Sequence, residues 1–428
     1  MSILDQSDPK IARIIAAEEA RQAGTLELIA SENHVSPAVL RALGSVLTDK
    51  YAEGYPARRY YCGNANVDAI EQLCIDRAKE LFGAEHANVQ PHCGTSANLA
   101  VYMAALKQGD KIMGMDLAHG GHLSHGMRLN VSGICYESVS YGVSEATEAL
   151  DMDQVADLAR KHRPDLLIVG ASAYPRLIDF EAFGAIARQV GCLMMSDIAH
   201  IAGLIVGGVH PDPVPYSDFV TTTNHKTLRG PRGGIILCRA KWAKAIDAAV
   251  FPGLQGGPME HVIAAKAVAF HEAMKPRFKD YAAAIVHNAA ALAGALLERG
   301  WRLVSGGTDN HLMLLDLRSR RDDLTGHVGA DWLAQAGIIA NWNNIPFDPR
   351  PPMKASGIRF GTPAVTTRGM GAEEMRRIAA WIDEILASDG QEELLSRVRG
   401  GVGELCRQFP IPNSNHNPTG RPGAGDES

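Results

Sequence analysis

Five short apolar runs, each stopped by turn residues, constrain this 428-residue chain more than any other feature: KIMGMDL (111–117), DLLIVGASAY (165–174), GCLMMSD (191–197), DFVTTT (218–223) and GGIILCR (233–239). Such runs, apolar without alternation, are what strands buried on both faces look like. Between two of them, FEAFGAIARQVG puts Phe183, Ile186, Ala187 and Val190 at helical spacing. Upstream, Val67, Ile70, Leu73, Cys74 and Leu81 share a helical pattern ahead of Gly83. Strand, helix and strand in repetition predict an α/β protein with a mostly parallel sheet covered by helices on both faces.

A chain of this length exceeds one compact core. After PGLQGGP (252–258) a long Ala-rich helical stretch is expected around 261–299, then strand-like HLMLLDL and a last helix at EEMRRIAAWIDEIL. This reads as a smaller C-terminal α+β domain. The expected division is an N-terminal arm (1–50), a large domain (51–275), a small domain (276–411) and a Pro- and Gly-rich tail (412–428) expected to be disordered.

Composition excludes several classes of function. Apolar residues at 46% and charged residues at 21% are ordinary for a globular protein. A net charge of −6 with no basic tract argues against a nucleic-acid partner. Seven scattered cysteines with no CxxC pair fit a reducing compartment. The start, MSILDQSDPKIARI, lacks a basic segment followed by an apolar one, and no apolar run has membrane-spanning length, so a cytoplasmic location without a membrane partner is expected.

Reactive residues collect where strands of an open α/β sheet end, which is where such sheets bind ligands. GCLMMSDIAH ends a strand with Asp197 and His200, and DFVTTTNHK ends another with His225 and Lys226. PHCGTSAN puts Gly94, Thr95 and Ser96 at a helix start, whose free N–H groups favour an anion. A lysine of ordinary pKa is neutral in only about one molecule in a few thousand at pH 7, so it needs help to act as a nucleophile. Pyridoxal phosphate chemistry requires a lysine, a carboxylate for the pyridine nitrogen and a phosphate cradle. Lys226, Asp197 and Gly94–Thr95 supply this set, and LAHGGHLSHG offers His119, His122 or His125 for the ring face. Singly, each has an ordinary reading: a solvated lysine, a helix-capping aspartate, a tight-turn glycine. The three histidines lack carboxylates at ligand spacing, so no metal is expected.

Many segments together make the chain resemble serine hydroxymethyltransferase, a fold type I pyridoxal-phosphate enzyme family, up to about residue 411. They include ELIASEN, KYAEGYP with RRYY, LAHGGHLSHG, SAYPR, SDIAHIAGL, TTTNHKTLRGPRGG, FPGLQGGP and SGIRFGTPA. The resemblance implies a homodimer or pair of dimers with shared active sites, converting L-serine and tetrahydrofolate to glycine and 5,10-methylenetetrahydrofolate. Lys226 would carry the cofactor covalently, Asp197 would pair with its ring nitrogen, and His122 would stack on the ring. Ser172 and His200 would lie near its phenolic oxygen. Gly94, Thr95 and His225 would bind phosphate, helped by Tyr51 and Gly257 from the neighbouring subunit. Arg359 and Ser31 would hold the amino-acid carboxylate, Glu53 with Tyr61 would serve as acid/base, and Leu117, Gly121, Leu123 and Asn343 would contact folate.

The chain departs from the family pattern at Asn224, where a fourth threonine is usual, and at Cys93, where serine is usual. Altered tuning is expected from both. YYCGNAN lacks an acidic residue often found after that tyrosine pair, and RPPMKASG places Pro351, Pro352 and Met353 beside the folate region. On the same scaffold a folate-independent β-hydroxy amino acid aldolase, an α-methylserine hydroxymethyltransferase and a non-catalytic binding protein remain alternatives.

Overall fold

The computed structural model describes residues 3–412, and the polar tail from 413 onward lies outside the described residues. All five apolar runs form strands of one seven-stranded sheet. Its members are β1 (His86–Asn88), β2 (Lys111–Met115), β3 (Glu137–Tyr141), β4 (Leu166–Val169), β5 (Leu193–Asp197), β6 (Phe219–Thr223) and β7 (Gly234–Cys238), in the order β1-β7-β6-β5-β4-β2-β3. The pairings from β3 through β6 are parallel, and β7 runs antiparallel to both of its neighbours. DLLIVGASAY is strand only over Leu166–Val169. The chain leaves the sheet at Gly170, and the rest of that run becomes a loop over the sheet's carboxyl end.

Helix α1 (Pro9–Gly24) precedes the sheet, and α2 (Ala65–Phe82) packs beneath it. The face α2 buries is Val67, Glu71, Cys74, Ala78 and Phe82, whereas Leu73 is exposed. At 100° per residue Leu73 falls well off the centre of that stripe, which corrects its assignment to the packed face. Gly83, in the left-handed conformation at φ 64°, ends the helix. Helix α3 (Gly94–Ala105) follows β1, and α4 (Phe180–Val190) covers the sheet with Phe183, Ile186 and Ala187 buried.

The Ala-rich stretch forms two helices, α5 (Glu260–Ala273) and α6 (Arg277–Glu298). Pro276 separates them, because proline has no N–H to continue the ladder. By length and composition α6 is apolar enough to cross a membrane, but it buries Ile285 against the large sheet's core and Leu292 and Leu296 in a second core. That second core lies under an antiparallel sheet, order β8-β9-β11-β10, of β8 (Arg302–Leu303), β9 (Leu312–Asp316), β10 (Asn341–Asn343) and β11 (Gly357–Gly361). Leu26 and Leu28 from the N-terminal segment fill the same core.

Helix α7 (Ala372–Ala387) is not the last. It is followed by α8 (Glu392–Gln408), which buries Leu395, Val398, Val402 and Leu405. The RVRGGVGE stretch concealed it, since two adjacent glycines weaken a helical pattern that tertiary packing restores.

Candidate active site

The carboxyl ends of β4, β5 and β6, the loop after β2 and the start of α3 converge on one cavity of about 340 Å³. Between β2 and β4 the strand order reverses, the position where open sheets leave a crevice. Two glycines make the close approaches. A Cβ on Gly94 would lie 2.7 Å from the Thr223 methyl, and one on Gly121 would lie 2.0 Å from the Met115 carbonyl oxygen.

Asp197 leaves β5 into the cavity and accepts hydrogen bonds from His125 Nε2 (3.0 Å) and Asn98 Nδ2 (2.8 Å). Burial raises its pKa, but the bond and charge of His125 and the Asn98 amide outweigh that and hold the carboxyl well below the usual range. Asn98 is fixed in turn by the Thr221 hydroxyl at 2.6 Å. Asn98 is a partner of Asp197 that the sequence reading did not name, and His125, offered there only for the ring face, is its other partner. The signal available for Asn98 was its position one helical turn after Gly94.

Lys226 follows β6 on a turn tied down by Asn33, which donates to its carbonyl at 2.9 Å, and by Thr227, which donates to the His200 carbonyl at 2.9 Å. Its ammonium makes no hydrogen bond to another described residue, and burial lowers its pKa to about 8 despite the attraction of Asp197. Asn224 does not line the cavity. Its amide is buried behind the turn, near Gly233, with neither atom hydrogen-bonded.

Burial, reinforced by Arg232, pushes His225 down to about 3, and Arg232 donates to its Nε2 at 3.1 Å. His122 is lowered to about 4, chiefly by burial. His200 stacks on His311 with ring centroids 5.5 Å apart. Both imidazoles are held neutral by burial and by the nearby Lys226 and Arg359 charges. Ser31, Ser172 and Thr95 also line the cavity, as does Cys93, whose Sγ lies 3.3 Å from the Ser96 hydroxyl. Arg359 comes from β11, the other sheet, and donates to the Ser172 carbonyl (2.7 Å) and Asn341 Oδ1 (3.2 Å).

Other expected residues lie elsewhere. Tyr51, Glu53, Tyr61 and Gly257 form a second cluster that does not line this cavity. Tyr51 donates to Glu53 Oε1 at 3.3 Å, its ring meets that of Tyr61 edge-on at 5.2 Å, and Gly257 lies against it. Tyr51 and Tyr61 are 54% and 48% exposed. The cluster sits on the segment before α2 and the turn before α5, two helices packed against each other, and within one chain it takes no part in lining the cavity that holds Lys226. Leu117 and Leu123 are exposed on the loop that carries His122. Leu117 lines a neighbouring cavity of about 480 Å³, which Gly121, Leu123 and Asn343 do not. Asn343 lies on the edge strand β10 and donates to the Asn344 carbonyl. Pro352 and Met353 lie in an exposed helical turn after Pro351.

The three loop histidines separate. His119 accepts from the Val143 N–H at 3.2 Å, whereas His122 and His125 come together with Asp197, all three offering ligand atoms within 4.8 Å. The carboxylate that local spacing lacked is thus supplied through the fold.

The cavity fits a phosphorylated pyridine aldehyde on several counts. The α3 N-terminus opens into it with no side chain capping its N–H groups, and Arg232 lies nearby. His225 Nδ1 is buried with no partner. An ionised carboxylate, a lysine of lowered pKa and an imidazole line its walls. The family model for serine hydroxymethyltransferase matches residues 4–382. The chain therefore belongs to the serine hydroxymethyltransferase family of fold type I, folate-using pyridoxal-phosphate transferases.

Proposed function

We propose that the protein transfers the hydroxymethyl group of L-serine to tetrahydrofolate, giving glycine and 5,10-methylenetetrahydrofolate, with pyridoxal phosphate held covalently at Lys226. The observation that carries this reading is the gathering of Lys226, Asp197, His122 and the Gly94–Thr95 helix start around one cavity with Arg359 at its edge. Bound pyridoxal phosphate supplies a sink for the electrons released at Cα. Gly94, Thr95, His225 and Arg232 hold the phosphate, and Asp197, ionised at all working pH values, keeps a proton on the ring nitrogen. Arg359 presents a two-pronged donor to the serine carboxylate, with Ser31 beside it. Glu53, assisted by Tyr61, moves the proton of the serine hydroxyl, and Leu117, Gly121, Leu123 and Asn343 contact the folate.

Because Tyr51, Glu53, Tyr61 and Gly257 lie outside the cavity of their own chain and the tyrosines are exposed, a second copy completes the site. The working unit is a homodimer, alone or in a pair of dimers. The test is product formation by purified protein given serine and tetrahydrofolate. Absence of glycine would overturn the reading. Turnover of allo-threonine or α-methylserine in preference to serine, without folate stimulation for the former, would move it to the aldolase or the α-methylserine enzyme.

A further inference from the structure

Behind the Tyr51–Glu53 cluster lies a charged group that the reaction itself does not use. Arg59 donates to Glu71 Oε2 (2.6 Å) and Asp68 Oδ1 (2.8 Å), and lies 3.7 Å from Glu260 Oε1. Glu71 on α2 and Glu260 on α5 are both essentially inaccessible to water. Both carboxyls face the same Arg59 nitrogen, Glu71 Oε2 at 2.6 Å and Glu260 Oε1 at 3.7 Å, yet Glu260 meets no hydrogen donor on either oxygen. Two carboxylates in that relation repel, and neither can bond the other unless one carries a hydrogen. The titratable and charged groups facing the pair are Arg59, Asp68, Tyr55, Cys74 and Lys266, and the Lys266 ammonium is already engaged by the carbonyls of Val89, Pro91 and Gly234.

Arg59 also donates to the Ala52 carbonyl (2.9 Å) and the Gly54 carbonyl (3.0 Å), which bracket Glu53. Gln90 repeats the clamp, donating to the Gly54 carbonyl (2.9 Å) and Glu71 Oε1 (2.8 Å). We propose that Glu71 and Glu260 share one proton, and that this pair, acting through Arg59 and Gln90, is the positioning device for Glu53. The consequence for catalysis rests on the role given to Glu53 above; the shared proton does not. Loss of that proton leaves a second uncompensated buried carboxylate, which pulls Arg59 from the Ala52 and Gly54 carbonyls and loosens the Glu53 segment. Burial, together with the neighbouring Glu71 charge, raises Glu260 well above the usual carboxyl range, so the shared proton is present at neutral pH and is lost as pH rises.

The test compares wild-type holoenzyme with Glu260→Gln, whose amide supplies the donor at every pH. In the wild type an infrared band of a buried protonated carboxyl should be present at neutral pH and disappear as pH is raised above neutral, and it should be missing from Glu260→Gln. Wild-type kcat should fall about tenfold per pH unit beyond that titration with little change in KM for serine, whereas Glu260→Gln should hold its kcat. A wild type without such a band, or pH profiles that superimpose, would overturn the proposal. The infrared titration requires neither a folded variant nor turnover. A wild type that shows the band but makes no glycine would sink the function reading and leave the shared proton standing.

Discussion

At Lys226 the decisive quantity is the fraction of neutral amine. With burial lowering its pKa to about 8, uptake of pyridoxal phosphate by cofactor-free protein should accelerate as pH rises and level off above about 8. Stopped-flow absorbance at several pH values would read this, and Lys226→Arg should show no such phase. Arg359→Lys keeps the charge and loses the fork, so KM for serine should rise by roughly 10- to 100-fold, the equivalent of one charged hydrogen bond. Neither environment is legible from neighbouring letters. TTTNHK announces a lysine in unusual company, but its lowered pKa comes from the other strand ends that close over it. Asn224 is the instructive residue: two positions before the lysine, it points behind the turn, and only the direction of the backbone decides that.

At the level of elements, periodicity identified what had few alternatives. Apolar runs such as LLIV and FVTTT have no amphipathic pattern that a surface helix could use. What escaped were elements stabilised mainly by their contacts: the three-residue β1, the edge strand β3, and α8 with its paired glycines. Because α8 places Leu405 at 1% exposure in the second core, Leu405→Ala should lower unfolding stability by about 2–5 kcal/mol. Arg397→Ala, which removes only an exposed ion pair with Glu384, should change it by less than about 1 kcal/mol. Urea denaturation of the three proteins would separate these outcomes, and an undisturbed midpoint in Leu405→Ala would show that α8 is not part of the cooperative unit.

Over the whole molecule, the separation of Glu53 from Lys226 predicts complementation between chains. Lys226→Ala and Glu53→Ala proteins should each be nearly inactive alone. Refolded together they should recover roughly a quarter of wild-type activity, since random pairing gives half hybrids with one intact site each. No recovery would mean that both residues serve the same site from one chain. Read alone, the order of amino acids was enough for the α/β class, for five of the seven strands of the central sheet and for the set of groups able to hold a phosphorylated cofactor, because these depend on local period and on side-chain chemistry. The third dimension decided the rest. It brought Asn98 and His125 onto Asp197, carried Arg359 across from the other sheet, split the histidine triplet and kept the Glu53 cluster apart from the cavity. Each of those outcomes is set by packing between elements distant in the chain, and local sequence carries no record of such distances.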